Sequence, residues 1–356
     1  MTMNTPAQIG GYSMRWRGDV SPVFEARPFI DETGTSRIVT NSQGDTQIVT
    51  NGAALPYDAF MDIDLAVDAV RRERVGGIPD LMSRGLVHNL YGPGATVTMT
   101  QVSSDMTPAD INMSGLTLGE KDQIRFDQRI VPVPVVHKDW QIEARTLDAL
   151  RVFGQGVDTT AASTAASLVM EASERMLFAG APITIAGGTV YGYRNFPGRG
   201  TVDLDNPWTS ATPSAIKADV QAMLAAARTR RFYGPYTLYI PGAWEGVLDE
   251  FFIIEGGDDT AGYSIAAPNR TIREVLLSLS GLERIVVSDI MGSDGEAVLV
   301  QLSRDVVDLA VGQNLTTITW EEQGGQLQQF KTMAIWVPRI KADFDGRCGI
   351  IHLRPA

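Results

Sequence analysis

The chain has 356 residues, of which 44% are hydrophobic and 20% charged, and these ordinary globular proportions exclude a wholly disordered protein. The formal net charge is -12 and the basic residues are scattered, so no basic stripe is present that could grip nucleic acid. An acidic wall can still enclose DNA, because it repels phosphates and lets the polymer slide without sticking. Composition therefore excludes a DNA reader but not a DNA container.

An extended arm is predicted over 1–56. This stretch contains scattered glycine, proline and polar residues with no sustained helical period. Trp16 and Phe24 are large apolar anchors within it, and Arg15 and Arg17 flank the tryptophan. The segment has no apolar signal core, and no apolar run in the chain is long enough to span a bilayer, which predicts synthesis in the cytoplasm.

An amphipathic helix is predicted next, over 55–74. Its apolar residues recur along one face, and the basic cluster at 71–74 complements the negative end of the helix dipole. Gly76, Gly77 and Pro79 are predicted to end this helix.

Two alternating segments, 95–102 and 122–130, are predicted to pair as a projecting hairpin. Each carries apolar residues on one face only, including Ile124 and Phe126 in the second, and the long polar loop between them has little to bury. Pro132 and Pro134 each lack a backbone donor, which predicts a sheet boundary there.

A long buried helix is predicted from Asp158, as its cap, to Phe178, with Gly180 and Pro182 beyond its end. The face predicted to pack against a sheet carries small and apolar residues at spacings of three or four, namely Ala161, Ala165, Val169 or Leu168, Ala172 and Met176.

A second module is predicted from Thr212. Its first helix carries a clean apolar stripe of Ile216, Val220, Met223, Leu224 and Ala227. A strand over 236–240, a short helix around Trp244, a helix over 272–279 and four further strands follow. Helices interleaved with short strands predict a mixed α/β or α+β body, not a solenoid or an all-β sandwich.

Catalytic and metal-binding patterns are weak. His88, His137 and His352 are far apart and form no ligand pair, and the single cysteine, Cys348, is predicted to be a small buried residue. The acidic loop with Glu255, Asp258 and Asp259 lacks calcium-loop spacing. The sequence predicts no metal, no cofactor and no enzymatic activity.

Ordered stretches of the chain resemble one family, the coat proteins of tailed bacteriophages with the Hong Kong 97-like fold. In the first half these are LPYDAFMDIDLAVDAVRRERVGGIPDLMSRGL, SDMTPADINMSG, VPVPVVHKDWQIEARTLDALR and DTTAASTAASLVMEASERMLFAG. In the second half, GPYTLYIPGAWEGVLDE, IREVLLSLSGLERIVVSD and AVLVQLSRDVVDLAVGQNLTTITWEEQ resemble the same family and also encapsulin shells.

The resemblance implies an α+β fold divided into named parts. They are an N-terminal arm (1–56), an N-terminal helix region (57–91), an extended loop (92–137), a peripheral domain (138–211) with a spine helix (158–178), an axial domain (212–320) and C-terminal strands of the peripheral domain (321–356).

The function that the resemblance implies is that of a major capsid protein. Pentamers and hexamers of the chain would form the icosahedral head shell of a tailed phage, assembled in the bacterial cytoplasm around double-stranded DNA without sequence-specific binding and without a membrane. Portal, scaffold and decoration proteins would be its other partners. The alternative is an encapsulin-type compartment that encloses a protein cargo; the extended character of the predicted arm favours the phage capsid, because encapsulins usually begin with a helix.

Seven residues are predicted to contact neighbouring subunits, as apolar anchors or as donors of charge-assisted bonds: Arg15, Trp16, Arg17, Phe24, Ile124, Arg125 and Phe126. For Phe126, packing within its own subunit remains an alternative. Some members of the fold cross-link a lysine to an asparagine between subunits, and Lys121, the sole lysine of the extended loop, is the candidate for that reaction.

Overall fold

The computed structural model describes residues 76–90, 92–109, 121–146, 159–254, 265–291 and 295–355, together with Ile63, Ile111, Met113 and five short strands between positions 8 and 48. The helix predicted over 55–74 and the acidic loop with Glu255, Asp258 and Asp259 lie outside the described residues, apart from Ile63.

Five α-helices are described: α1 (Gly77–Ser83), α2 (Thr160–Ala179), α3 (Pro213–Thr229), α4 (Glu245–Leu248) and α5 (Ile272–Leu277). The strands, in chain order, are β1 (Gln8–Ile9), β2 (Tyr12–Arg15), β3 (Val23–Glu25), β4 (Ile38–Thr40), β5 (Thr46–Ile48), β6 (Val87–Asn89), β7 (Val97–Ser103), β8 (Phe126–Pro132), β9 (Val135–Glu143), β10 (Ala181–Ile185), β11 (Gly188–Val190), β12 (Gly200–Leu204), β13 (Tyr236–Ile240), β14 (Phe251–Ile254), β15 (Ile265–Thr271), β16 (Leu282–Val287), β17 (Ala297–Gln301), β18 (Val307–Glu322), β19 (Leu327–Ile340) and β20 (Ile350–Pro355).

Helix α1 begins just after the helix predicted over 55–74, whose end lies outside the described residues, so the stop predicted from Gly76, Gly77 and Pro79 stays a prediction. Gly77 is its first residue and Pro79 lies in its first turn, where a missing backbone donor costs nothing because those donors have no partner within the helix. Gly77 serves close packing, since a Cβ at this position would lie 2.5 Å from Cδ2 of Leu177 on α2.

Helix α2 is confirmed as a long helix, but its packing face differs from the predicted one. Its cap position is Thr159, without a side-chain cap bond, and the predicted cap Asp158 lies outside the described residues. Ala165, Val169 and Met176 are buried as predicted. Ala161, Leu168 and Ala172 are exposed instead, because the buried surface shifts toward a neighbouring set of positions: Ala162, Ala166, Met170, Ser173, Glu174, Leu177 and Phe178.

A five-stranded sheet, in the order β12-β20-β17-β13-β16, separates two apolar cores. Alternate residues of one strand point to opposite faces of a sheet. Leu238 and Ile240 of β13 therefore join the core under α3, whereas Tyr239 joins the core that contains the C-terminal half of α2. The predicted stripe on α3 is confirmed, since all five of its residues are buried against this sheet.

A four-stranded sheet, in the order β6-β18-β19-β9, contains the long antiparallel ribbon β18–β19. Trp140 of β9 stacks on Phe330 of β19 with ring centroids 4.0 Å apart. Ile63, Ala162 and Ala166 complete a small core against this pair, so the N-terminal half of α2 is fixed to the ribbon.

The C-terminal strands belong to both sheets. Strand β19 lies in the four-stranded sheet, whereas β20 pairs with β17 and β12 near the middle of the five-stranded sheet. The last part of the chain therefore connects the two sheets.

Candidate assembly surfaces

The extended hairpin is formed by β7 and β8, which pair in antiparallel register from Val97 opposite Pro132 to Ser103 opposite Phe126. The prediction that the second strand begins near position 122 is wrong, since β8 starts at Phe126. Strand β8 ends at Pro132 and β9 begins at Val135, which confirms the sheet boundary predicted from Pro132 and Pro134.

One face of this hairpin presents apolar side chains to solvent. Register places Met99 opposite Ile130 and Ser103 opposite Phe126 on that face, with a glutamine pair between them. Phe126 is 63% exposed and Ile124 is 41% exposed, so neither packs into the core of its own subunit. An exposed apolar surface of this kind is typical of a docking site.

The tip of the hairpin is held by a polar clamp. The backbone amide and the hydroxyl of Thr107 both donate to Oδ2 of Asp122, at 2.5 and 2.6 Å. These bonds, the side-chain bond first, lower the pKa of Asp122. Ile111 and Met113, the two described residues between positions 110 and 120, are fully exposed.

The base of the hairpin is anchored by a buried ion pair. Arg339 and Asp308 lie opposite each other on β19 and β18 and form two hydrogen bonds of 2.7 and 2.6 Å. The Arg339 guanidinium also donates to Oγ1 of Thr98 on β7 at 3.0 Å, and Nζ of Lys341 lies 2.8 Å from Asp308. Burial alone would raise the pKa of Asp308, but the bonds from Arg339 and Lys341 outweigh it and lower that pKa.

Strand β8 also packs directly on β11. A Cβ added to Gly188 would lie 2.1 Å from the backbone oxygen of Ile130, so only glycine allows this approach.

We expect Gly188→Ala to destabilise the protein by about 1–3 kcal/mol, because the backbone of β8 would have to move. Gly246→Ala is the matched control, since nothing lies within 4 Å of its Cβ position on α4, and alanine favours a helix there. Urea unfolding of both variants measures the difference; equal stabilities would contradict the packing argument.

A buried carboxyl joins α2 to α1 and to the residue after β16. Oε1 of Glu174 accepts from Ser288 Oγ at 2.8 Å and from the Gly77 amide at 3.4 Å, while Oε2 has no hydrogen-bond partner among the described residues. Burial is the main cause that raises the pKa of Glu174 above its ordinary value of 4.5. Burial thus disfavours the charged form of Glu174 relative to a carboxyl in water.

We expect Glu174→Gln to gain stability relative to the parent chain as the pH rises. Because the folded-state pKa is raised, the proton's stabilising contribution is complete below about pH 4.5 and is lost as the pH rises through the folded pKa. The glutamine amide resembles the protonated acid and has no such loss. Urea unfolding of both proteins between pH 4 and 8 tests this; a stability difference that stays flat would contradict it.

His88, His137 and His352 lie on three different strands, β6, β9 and β20. His352 is buried on β20, where Arg199 Nε donates to its Nδ1 at 3.3 Å. Because arginine only donates, the imidazole proton lies on Nε2 and is donated to Oε2 of Glu296 at 3.0 Å. Burial lowers the pKa of His352. Among the described residues, no group of three His, Cys, Asp or Glu side chains could hold a metal ion.

Cys348 is buried, as predicted, and its thiol contacts the carbonyl oxygen of Gly198 at 3.4 Å. Burial raises the pKa of this thiol to about 12, so the reactive thiolate is suppressed at neutral pH. No helix in the described part of the chain is long and apolar enough to cross a membrane.

The predicted contact residues divide between the arm and the hairpin. Arg125 and Lys121 are exposed on the hairpin loop, and the Arg125 amide donates to Ser104 Oγ at 3.0 Å. Trp16 and Arg17 lie outside the described residues. Arg15 and Phe24 belong to β2 and β3, in a region whose side chains the structure does not describe.

The sequence analysis does not identify Met99, Ile111 and Met113 as exposed apolar residues of the hairpin. The alternation of apolar and polar residues in 95–102 could have indicated Met99.

Comparison with known proteins gives a family and a fold. The model of the family described as "Family of unknown function (DUF6260)" matches residues 50–353. No curated protein sequence matches the chain.

Solved structures with the same fold are distant in sequence. A virus-like particle from Pyrococcus furiosus is 17% identical, with a TM-score of 0.57 over 83% of this chain and 98% of that one. The capsid of Myoviridae Phage XM1 is 11% identical, with a TM-score of 0.57 over 80% and 94%. The capsid of a native GTA particle is 14% identical, with a TM-score of 0.52 over 77% and 89%. The predicted α+β capsid fold is confirmed.

Proposed function

The chain belongs to the DUF6260 family and shares its fold with capsid proteins, and from this we propose its function. It is the major capsid protein of a tailed bacteriophage. Copies of the chain assemble into the icosahedral head shell, as pentamers and hexamers, around double-stranded DNA. Its place is the virion, after synthesis and assembly in the bacterial cytoplasm.

The observation that carries this proposal is the exposed apolar hairpin on a fold shared with capsids. Phe126, Ile111 and Met113 are side chains that a protein acting alone would bury. Burying them against neighbours adds many modest contacts, and their sum over a closed shell exceeds any single strong interface.

The remaining features support a structural protein. Among the described residues, no metal cluster is present, and the single cysteine is held as a buried thiol. A net charge of -12 suits a wall along which DNA slides without sequence-specific binding. Portal, scaffold and decoration proteins are the further partners of such a shell. The arm (1–56), the spine helix (158–178) and the axial domain (212–320) are its proposed working parts.

The contents of purified shells, DNA or protein, test the proposal. Shells purified from infected or expressing cells should contain double-stranded DNA, or DNA-free precursors that fill with it when the phage is complete. The second candidate, an encapsulin-type compartment, is kept because the chain shares its fold with a virus-like particle. A protein cargo without DNA would favour it, and a chain that stays monomeric under all assembly conditions would reject both.

A denaturing gel of assembled shells tests the proposed role of Lys121. Covalent rings would run far above the mass of a single chain, and Lys121→Arg would abolish them while keeping the charge. A lone band at monomer mass from mature particles would reject the cross-link.

A further inference from the structure

Two buried side-chain oxygens at the far end of the ribbon β18–β19 have no hydrogen-bond partner among the described residues. They are Oε1 of Glu321 on β18 and Oε1 of Gln328 on β19. The register of the ribbon places Glu321 directly opposite Gln328, so the two side chains share one face, with Cβ atoms about 4.5–5.5 Å apart. Two acceptors are therefore neighbours, and the described part of the chain supplies a donor to neither.

The amide group of Gln328 is fixed in one orientation. Its side chain is 1% exposed, and its Nε2 donates to the hydroxyl of Thr319 and, at 3.4 Å, to the backbone oxygen of Trp320. A backbone oxygen only accepts hydrogen bonds, so the NH2 group must face Trp320 and Oε1 must point away from it. Turning the amide over would bring two oxygens together, which makes Oε1 the atom that stays unpartnered.

The carboxylate of Glu321 is not neutralised by a basic side chain at this oxygen. Its Oε1 receives no bond from a lysine, arginine or histidine in the described ranges, and Lys331, the lysine of β19, pairs with Asp139 at 3.5 Å instead. A carboxylate oxygen that is removed from water without a partner is costly. Glu322 and Gln323 beside it are exposed, so ions can reach this end of the ribbon from solution. The net charge of -12 also concentrates cations around the chain.

We propose that Glu321 and Gln328 form a cation site of the Ca²⁺ class. Carboxylate and amide oxygens are ligands of Ca²⁺, and water completes its flexible shell of about 6–8 oxygens. Zinc prefers nitrogen and sulfur ligands, and Mg²⁺ requires a nearly regular octahedron, so both fit this pair less well. The site contains one carboxylate and is therefore compatible with the lack of any described group of three acidic, histidine or cysteine side chains. A single carboxylate predicts weak binding, with a Kd of about 0.1–1 mM.

A cation at this place would hold the end of the ribbon together. The turn at Gln323–Gly325 joins the two strands just beyond the site, and the amide of Ala144, after β9, donates to the oxygen of Gln326 at 2.9 Å. The same face is closed further along by the stacked rings of Trp140 and Phe330. The bound cation therefore has a structural role, which is to join β18 and β19 where the aromatic pair no longer reaches.

Urea unfolding of the unassembled subunit tests the site, with about 10 mM CaCl2 compared with MgCl2 at the same concentration. We expect Ca²⁺ to lower the equilibrium constant of unfolding at least about 10-fold, because this concentration is ten or more times the expected Kd. Glu321→Gln removes the charge, keeps the shape and should abolish the Ca²⁺ effect. Glu322→Gln is the matched control, since this neighbouring carboxylate is exposed, and should keep the effect.

A second variant and a direct measurement cover the case in which Glu321→Gln does not fold. Gln328→Met removes the amide oxygen and should lose most of the Ca²⁺ effect, and calorimetric titration with CaCl2 should show binding to the folded parent that this variant lacks. Equal stabilisation by Ca²⁺ and Mg²⁺, or a Ca²⁺ effect that survives the loss of either oxygen, would overturn the cation site. A water molecule or a proton between the two oxygens would then be the partner, and the capsid function would still stand.

Discussion

Arg339→Met is expected to destabilise the subunit by about 3 kcal/mol at neutral pH, because it leaves the Asp308 carboxylate buried without its two-bond partner. Lys341 still contacts Asp308, which places the loss at the lower end of the range for broken buried pairs. The change also removes the bond to Thr98, so the hairpin loses its anchor. Urea unfolding of the unassembled subunit measures the effect.

Two companion variants show that the uncompensated charge is the cause. Replacing both partners, Asp308→Leu with Arg339→Met, should recover at least about 1 kcal/mol, because no buried charge of the pair is left. Arg354→Met removes an ion pair of 3.3 Å to Asp203 in which both side chains are about half exposed, and should cost less than about 1 kcal/mol. A double variant no more stable than Arg339→Met alone would contradict this account.

The pH dependence of this loss has a definite sign. The folded-state pKa of Asp308 is lowered from its ordinary value of 3.8, so the pair's contribution is complete above about pH 4 and is lost as the pH falls through the folded pKa. The gap between parent and Arg339→Met should therefore narrow in acid. A gap that widens below about pH 4 would show that another group is responsible.

Phe126→Asp is expected to block assembly while leaving the folded subunit intact. The ring is 63% exposed, so unfolding of the isolated subunit should change by no more than about 0.5 kcal/mol. Burying such a ring at an interface contributes ~1–2 kcal/mol per contact, and a charge in its place adds a desolvation penalty. Since about 1.4 kcal/mol is tenfold in affinity, the concentration needed for assembly should rise at least about 10-fold.

The control for this experiment is Phe126→Leu, which keeps an apolar side chain and should assemble at nearly the parent concentration. Light scattering and sedimentation of the three proteins under identical conditions measure the threshold. Normal assembly of Phe126→Asp would show that this face of the hairpin stays in solvent, and would remove Phe126 from the interface.

The hairpin and its anchor differ in how far the sequence could predict them. Alternation over 95–102 and 122–130 indicates a hairpin, because a period of two reflects the geometry of a strand. Nothing in that pattern indicates that Arg339, far along the chain, holds its base. A pairing at such separation depends on strand register, which local periodicity does not specify.

Helix α2 shows the same limit within one element. Its length and small residues are evident from the sequence, but Ala161 and Ala172 are exposed where burial is predicted, and of the alternatives Val169 and Leu168 only Val169 is buried. An alanine-rich helix is weakly amphipathic, so several faces satisfy the pattern nearly equally, and contacts with β9 and β19 select among them. The burial of Glu174 follows from that selection.

The sequence by itself determined the strongly periodic elements and the broad class of the protein. The stripe on α3, the boundary at Pro132 and Pro134, and the lack of ligand spacing among the histidines all follow from local side-chain chemistry. The tertiary structure alone decided that β20 crosses into the five-stranded sheet, that Asp308 meets Arg339, that Ile111 and Met113 stay uncovered, and that Glu321 lies opposite Gln328. The physical reason is the distance along the chain between the residues that interact. Periodicity within one element shows which of its faces is apolar, whereas register and packing between distant segments determine which residues contact that face.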